Sequence, residues 1–298
     1  LSENLFKGLS PWLSKLPGGL VHVNVVGCAL FAAISGSSAA TVATVGKMSI
    51  PELRKRKYPE KLLLGSLAGS GTLGLLIPPS IILIIYGVTI EDSIAKLFMA
   101  GILPGIMIAL MFMLYVIFWS ILNKKLMPKS VESFSFLEKV QGSKQLLPVI
   151  LLITSVIGSI YTGIATATEA ASLGVVGALI LSFFQGTLNK NTFNLSLLGA
   201  TKTSCMIAFI LAGSTFLSLA MGFTGLPRNL AIWIDGMNLS PYTLLFVLTI
   251  FYIILGMFLD GISAVVLTMA IIEPMIRQAG FDMIWFGIYL VIVVEMAQ

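Results

Sequence analysis

Three short stretches hold the residue types that can bind an ion or act on a substrate. The first is Ser35-Gly36-Ser37-Ser38-Ala39-Ala40-Thr41. Serines 35, 37 and 38 and Thr41 offer hydroxyl oxygens, and the glycine permits a tight turn. A helix beginning near Ala39 would aim its partially positive N-terminus at that turn. Such a place suits a carboxylate at the helix start and a sodium ion among the oxygens. A small-residue helix-packing face draws on the same residue types. The second stretch is "GSGTLGLLIPPS", residues 69–80. Its two prolines remove backbone donors and free upstream carbonyls. With Thr72 and glycines 69, 71 and 74, it reads as an unwound stretch able to meet the first and complete an oxygen cage. The third is Asp260-Gly261-Ile262-Ser263.

Enzyme chemistry has little to work with. Ser37 as a nucleophile wants a facing base, and His22, the one histidine, lies many residues away. Asp260 as an aspartyl catalyst wants a paired carboxylate, and Glu295 is the nearest candidate. An intramembrane hydrolase using Ser37 or Asp260 is therefore the alternative reading, and the expectation is a protein that is not an enzyme. Carboxylates within a membrane are functional by default. Glu169 reads as a helix start capped by Thr166 or Thr168, while Glu295 takes no assignment. Cys28 and Cys205 lie in apolar runs and suggest neither a disulfide framework nor a metal site. No cofactor is expected.

The elements that must position these groups are membrane helices. Of 298 residues, 57% are apolar and only 10% charged, against about 25% charged in a soluble domain. Mean hydropathy is +1.00. The apolar residues form long continuous blocks rather than the alternation of a barrel strand, so the class is all-α and multi-pass. The blocks fall at 20–46, 62–86, 97–122, 146–161, 168–184, 203–221, 242–272 and 284–298. From Gly19 to Ile34 a helix reaches roughly 22–24 Å, short of the roughly 30 Å hydrocarbon core. With a second short helix to Gly46, the block 20–46 predicts a re-entrant hairpin, and 242–272 repeats the pattern around "FLDGIS".

Lysine and arginine set the sidedness. With both hairpins re-entrant and the other blocks crossing, 1–19, 47–61, 123–145 and 185–202 share one side. They hold two, six, five and two basic residues, fifteen of the eighteen. The other side holds Lys96, Arg228 and Arg277. The fifteen-residue side is read as cytoplasmic. Net charge of +5 is thus a topology signal, not a nucleic-acid footprint. The hairpins then open to opposite faces. Their tips align Gly36 with Gly261, Ser38 with Ser263 and Ala39 with Ala264, as in the inverted repeats of secondary transporters. The expected organisation is a first repeat at 1–122, an amphipathic cytoplasmic connector at 123–145 and a second repeat at 146–298. The chain begins at Leu1 and stops within an apolar run. It reads as an internal piece cut at both ends, with a truncated last helix.

The stretch "GSSAATVATVGKMSIPELRKRKYPEKLLLGSLAGSGTLGLLIPPSIILIIYGV", followed by "SIAKLFMAGILPG", resembles the large membrane subunit of tripartite ATP-independent periplasmic (TRAP) transporters. "TATEAASLG" and "GMFLDGISAVVLTM" resemble its second half. The resemblance implies an elevator-type, sodium-driven importer of an organic acid anion in a bacterial inner membrane. A C4-dicarboxylate and a sialic-acid-like sugar acid both fit. It also implies a small four-helix membrane subunit, separate or fused, and a periplasmic binding protein that delivers substrate. A non-TRAP ion or anion transporter is the further alternative. In the family, sodium sites lie where each hairpin tip meets a broken helix. Ser35, Gly36, Ser38, Thr72, Gly74 and Pro78 match the first; Gly261 and Ser263 match the tip of the second. Substrate-binding candidates lie between the tips: Ser37, Ser38, Ala39, Asp260 and Ser263. The second broken helix should follow "VVEMAQ". Ala270 stands where the family more often has proline. "PELRKRKYPEK" is a topology-setting loop that could also meet lipid headgroups.

Overall fold

The computed structural model describes residues 2–128, 135–225, 229, 232, 236 and 240–297, and among these every regular element is helical. Lys129 and Arg228, both used in the charge count, lie outside the described residues, as does part of the 123–145 connector. The helices are α1 (Ser2–Leu13), α2 (His22–Ser35), α3 (Ser38–Lys55), α4 (Glu60–Gly71), α5 (Leu73–Leu76), α6 (Ile81–Thr89) and α7 (Ile94–Leu122). Then come α8 (Phe136–Lys144), α9 (Leu147–Tyr161), α10 (Ala167–Phe184), α11 (Lys190–Thr224), α12 (Pro241–Gly256), α13 (Gly261–Gln278) and α14 (Met283–Ala297). Among the described residues, five helical segments are long and apolar enough to cross a membrane. They are Glu60–Thr89, Ile94–Leu122, Ala167–Phe184, Lys190–Thr224 and Gly261–Gln278. A sixth would join α8 and α9, which meet at a 53° bend.

Two compact units partition the chain. One comprises residues 1–81 and 98–174, the other 82–97 and 175–298.

In the first unit, α2 and α3 fold back on each other. A Cβ on Gly27 would lie 3.6 Å from Val45 Cγ1. These positions are nine residues before and nine after Gly36, so the pair is an antiparallel hairpin turning at that glycine. Gly36 takes the left-handed conformation, φ 59°, and its N–H caps α2 at Ala32. The Ser37 side chain then caps α3 through Ala40 N–H. Asn24 joins the hairpin to α4, its amide donating to the Leu63 carbonyl (3.2 Å) and Ser66 Oγ (3.0 Å). At the hairpin's open end, Leu20, Val23 and Leu53 share a core with Leu5, Phe6 and Leu9 of α1 and with Leu63, Leu146 and Val149.

Several boundaries differ from the sequence reading. The stretch 1–19 contains α1, whose apolar face packs into that core. Within the connector, α8 lies against α1: Trp12 Nε1 donates to Ser143 Oγ (2.9 Å), and Lys139 stands over the Trp12 ring. The second arm of the first hairpin runs past Gly46 to Lys55, through Pro51. The segment 185–202 is largely helical, because Asn189 and Thr192 cap α11 reciprocally from its first turn. Polar sequence hid these extensions, since local capping and packing do not need hydrophobicity.

In the second unit, α12 and α13 form the other antiparallel pair. Tyr252, fully buried, bonds Thr268 Oγ1 through its hydroxyl at 2.6 Å. The two positions are eight residues either side of Asp260. Ser214 of α11 ties to the Val266 carbonyl (2.7 Å), and Tyr86 of α6 donates to the Met283 carbonyl (2.6 Å).

Candidate functional site

The first hairpin tip sits directly on the broken helix. A Cβ on Gly74 would stand 2.7 Å from the Ser37 carbonyl carbon and oxygen and 2.9 Å from Ser38 N. A Cβ on Gly36 would stand 2.7 Å from the Pro79 carbonyl oxygen, and Ile81 N–H donates to the Gly36 carbonyl at 3.3 Å. Ser35, Gly36, Ser37, Ser38, Gly74 and the Pro78-Pro79 pair thus form one cluster.

The break is narrower than the expected unwound stretch. Gly69 and Gly71 lie within α4 and Gly74 within α5; the helix is interrupted at the single turn residue Thr72 and again over Ile77–Ser80. The glycines serve close approach rather than unwinding. Gly71 leaves room for Val42 of α3, and a Cβ on Gly69 would lie 3.2 Å from the Phe112 ring. The prolines do the breaking. Pro78 has no N–H for the Gly74 carbonyl, and Pro79 has none for Leu75. The Leu75 carbonyl takes the Ser80 hydroxyl instead. The Gly74 carbonyl loses its helical donor beside the Ser37–Ser38 peptide.

Hydroxyl orientation leaves oxygens able to coordinate. Thr41 Oγ1 donates to the Ser37 carbonyl (2.8 Å) and lies 2.7 Å from Ser35 Oγ. Thr41 has one proton, so in that arrangement Ser35 donates to Thr41, accepts from Ser37 N–H at 3.4 Å and keeps one lone pair. Thr72 Oγ1 donates to the Gly69 carbonyl at 2.7 Å. Ser38 opens α3 and Ala39, its second residue, is exposed. Residues 35–41 and 72–81 contain no ionisable side chain. The cluster offers dipoles and a helix N-terminus, without a formal charge.

Among the described residues, no basic side chain is hydrogen-bonded to Ser37. Its hydroxyl accepts from Ala40 N–H, and its carbonyl takes Thr41. His22 is fully buried and bonded through Nε2 to the Pro17 carbonyl (2.8 Å).

At the second tip, Asp260 caps α13. Its carboxylate accepts from Ser263 N–H (3.3 Å) and Ser263 Oγ (2.5 Å). Gly261 is the buried first residue of that helix. The local geometry departs from the sequence alignment of the tips. Gly36 is the left-handed residue that ends α2, whereas Gly261 is helical, and the N-caps are Ser37 and Asp260. By capping, Gly261 corresponds to Ser38. Glu169 accepts from Thr166 N–H and Oγ1, each at 2.8 Å, the helix-start role expected of it. Glu295 is buried in α14.

Two contributors were not singled out by sequence: Asn24, which fixes the hairpin to α4, and Ser80, which closes the break. Each is a polar residue in an apolar block, and that was the available signal. Among the described residues, no group of three His, Cys, Asp or Glu side chains could hold a metal ion.

The protein-family profile described as "Tripartite ATP-independent periplasmic transporter, DctM component" matches residues 1–298. The "C4-dicarboxylate TRAP transporter large permease protein DctM" of Pseudomonas aeruginosa is 33% identical over 95% of this chain and 66% of its own length. The "Isethionate TRAP transporter permease protein DctMQ" of Oleidesulfovibrio alaskensis is 32% identical over 98% of this chain and 46% of its own. The "Sialic acid TRAP transporter large permease protein SiaM" of Vibrio cholerae is 30% identical over 97% and 67%. The chain therefore spans about two thirds of the Pseudomonas relative and under half of the Oleidesulfovibrio one. All three relatives are named as transporter permeases, not enzymes. With the profile covering every residue, the chain belongs to the DctM family, the large permease component of tripartite ATP-independent periplasmic transporters.

Proposed function

We propose that this chain is the ion- and substrate-handling part of a sodium-coupled, elevator-type importer of an organic acid anion in a bacterial inner membrane. A periplasmic binding protein supplies the anion, and a small four-helix membrane subunit, separate or joined, completes the assembly. The observation that carries the reading is the seating of the Ser35–Ser38 tip on the Gly74–Pro79 break, where freed carbonyls, hydroxyl lone pairs and the start of α3 converge. The relatives' named substrates support the substrate class: C4-dicarboxylate, isethionate and sialic acid are all small organic anions.

The uncharged cage supplies a reason for coupling. A sodium ion held by dipoles alone is poorly compensated, and an anion nearby offsets its charge. At about 6 Å and an effective dielectric near 20, that attraction is roughly 3 kcal/mol. Each ion therefore raises the other's affinity, as linkage requires. Ser35, Gly36, Ser38, Thr72, Gly74 and Pro78 serve the first sodium. Ser37, Ser38 and Ala39 face the anion. Asp260, Gly261 and Ser263 contribute from the second tip.

The test is uptake of an organic-acid panel by the full-length assembly in proteoliposomes with its binding protein. Ser38→Ala and Thr72→Ala should each raise the sodium concentration for half-maximal transport, a lost ligand costing about 1–3 kcal/mol. Unchanged sodium dependence in both, at normal expression, would make the tip a packing face.

A further inference from the structure

We propose that the first unit carries a binding site for the phosphate of an anionic phospholipid, away from the hairpin tip. A cavity of about 950 Å³ lies between the loop after α1, the end of α3 and the end of α7. That volume is at the upper end of small-molecule pockets, roughly 300–1,000 Å³. It accommodates a headgroup with its glycerol as readily as a bare ion.

The lining is strongly cationic. Among the described residues, Lys15, Lys55, Arg56, Lys57 and Lys124 contribute, against a single carboxylate, Glu52. Glu52 is engaged by Arg56 at 2.9 Å, so among the described lining residues four lysines remain beside an acid that is already paired.

Two buried hydroxyls point to an occupant independently of the charge. Ser14 and Ser120 also line the cavity, and they are only 5% and 3% exposed. Neither side-chain oxygen has a hydrogen-bond partner among the described residues. A buried hydroxyl left unsatisfied costs roughly 1–3 kcal/mol, and a phosphate oxygen would accept from both. Gly18, at φ 102°, brings bare backbone to this place: a Cβ there would stand 3.1 Å from Ser120 Oγ.

The surroundings favour a lipid over a soluble phosphate. Ile121 lines the cavity and is 47% exposed. It continues the outer face of α7, where Leu114, Phe118 and Leu122 are each more than 60% exposed. That helix is a candidate membrane span. Acyl chains can lie along it while the headgroup enters the cavity. The charge count assigns this end to the cytoplasmic side, whose leaflet presents anionic lipid to basic pockets between helices.

The experiment is native mass spectrometry of the full-length assembly titrated with phosphatidylglycerol, with phosphatidylcholine or with inorganic phosphate. Phosphatidylglycerol should be retained in preference to phosphatidylcholine, and Lys15→Gln/Lys124→Gln should reduce its retention at least five-fold. Ser120→Ala, which leaves the charge intact and keeps the test open if the double variant misfolds, should reduce it two-fold or more. Retention unaffected by either variant would overturn the site. Displacement of the lipid by millimolar inorganic phosphate would overturn the lipid assignment in favour of a free anion. Cross-linking of Lys124→Cys to another polypeptide of the assembly would show that protein fills the cavity.

Discussion

Gly74 and Ser37 touch through bare backbone: where a side chain would begin on Gly74, the Ser37 carbonyl is already 2.7 Å away. The contact joins the tip of the α2–α3 hairpin to the last helical turn before Pro78. Backbone atoms on both sides leave nothing to rotate out of the way. Gly74→Ala should therefore push the tip off the break and cost about 1–3 kcal/mol, as overpacking does. Gly65→Ala is the control, because nothing lies within 4 Å of the added carbon. It should be neutral or stabilising by about 0.4–1 kcal/mol. Thermal unfolding of the full-length protein in detergent, with sodium-dependent uptake, measures both. Equal stability and uptake in the two variants would separate the tip from the break.

Much of this arrangement was legible because it depends on breaks in apolar runs. Gly36 and the Pro78-Pro79 pair interrupt hydrophobic blocks, and such interruptions show in one dimension. Their juxtaposition needed only the idea that two breaks at membrane depth must satisfy each other's backbone. The role of the glycines was not legible. Glycines 69, 71 and 74 read as helix breakers, yet they are helical and receive Phe112, Val42 and Ser37. Which partner a small residue admits is a tertiary fact. Helix ends with polar sequence, such as Lys190–Lys202 at the start of α11, were hidden for a related reason, since hydropathy marks lipid contact and not helicity.

Asp260 is engaged locally. It accepts from the Ser263 amide and hydroxyl at the start of α13, the arrangement of an N-cap carboxylate. Asparagine caps about as well as aspartate, so Asp260→Asn should leave stability nearly unchanged. Asp260→Ala should cost about 1 kcal/mol. If the carboxylate only steadies the tip, Asp260→Asn should also keep the sodium-to-substrate stoichiometry, read from reversal potentials in vesicles. A stoichiometry lower by one ion would instead make the charge itself part of the coupling.

The two hairpins should open to opposite faces of the membrane, and one pair of labels decides it. Lys55 ends the second arm of the first hairpin, and Gln278 ends that of the second; both are exposed. Fifteen of eighteen basic residues fall on the side assigned to Lys55 when both hairpins are re-entrant, and making either a full crossing mixes the sides. In a Cys205→Ser background, which removes the exposed thiol and leaves the buried Cys28, Lys55→Cys should react with an impermeant maleimide only from the cytoplasm. Gln278→Cys should react only from the periplasm. Arg277, one residue before that position, pairs with Glu273 at 2.9 Å. Reaction of both cysteines from one side would remove the opposed-hairpin topology, and with it the second tip as a counterpart to the first.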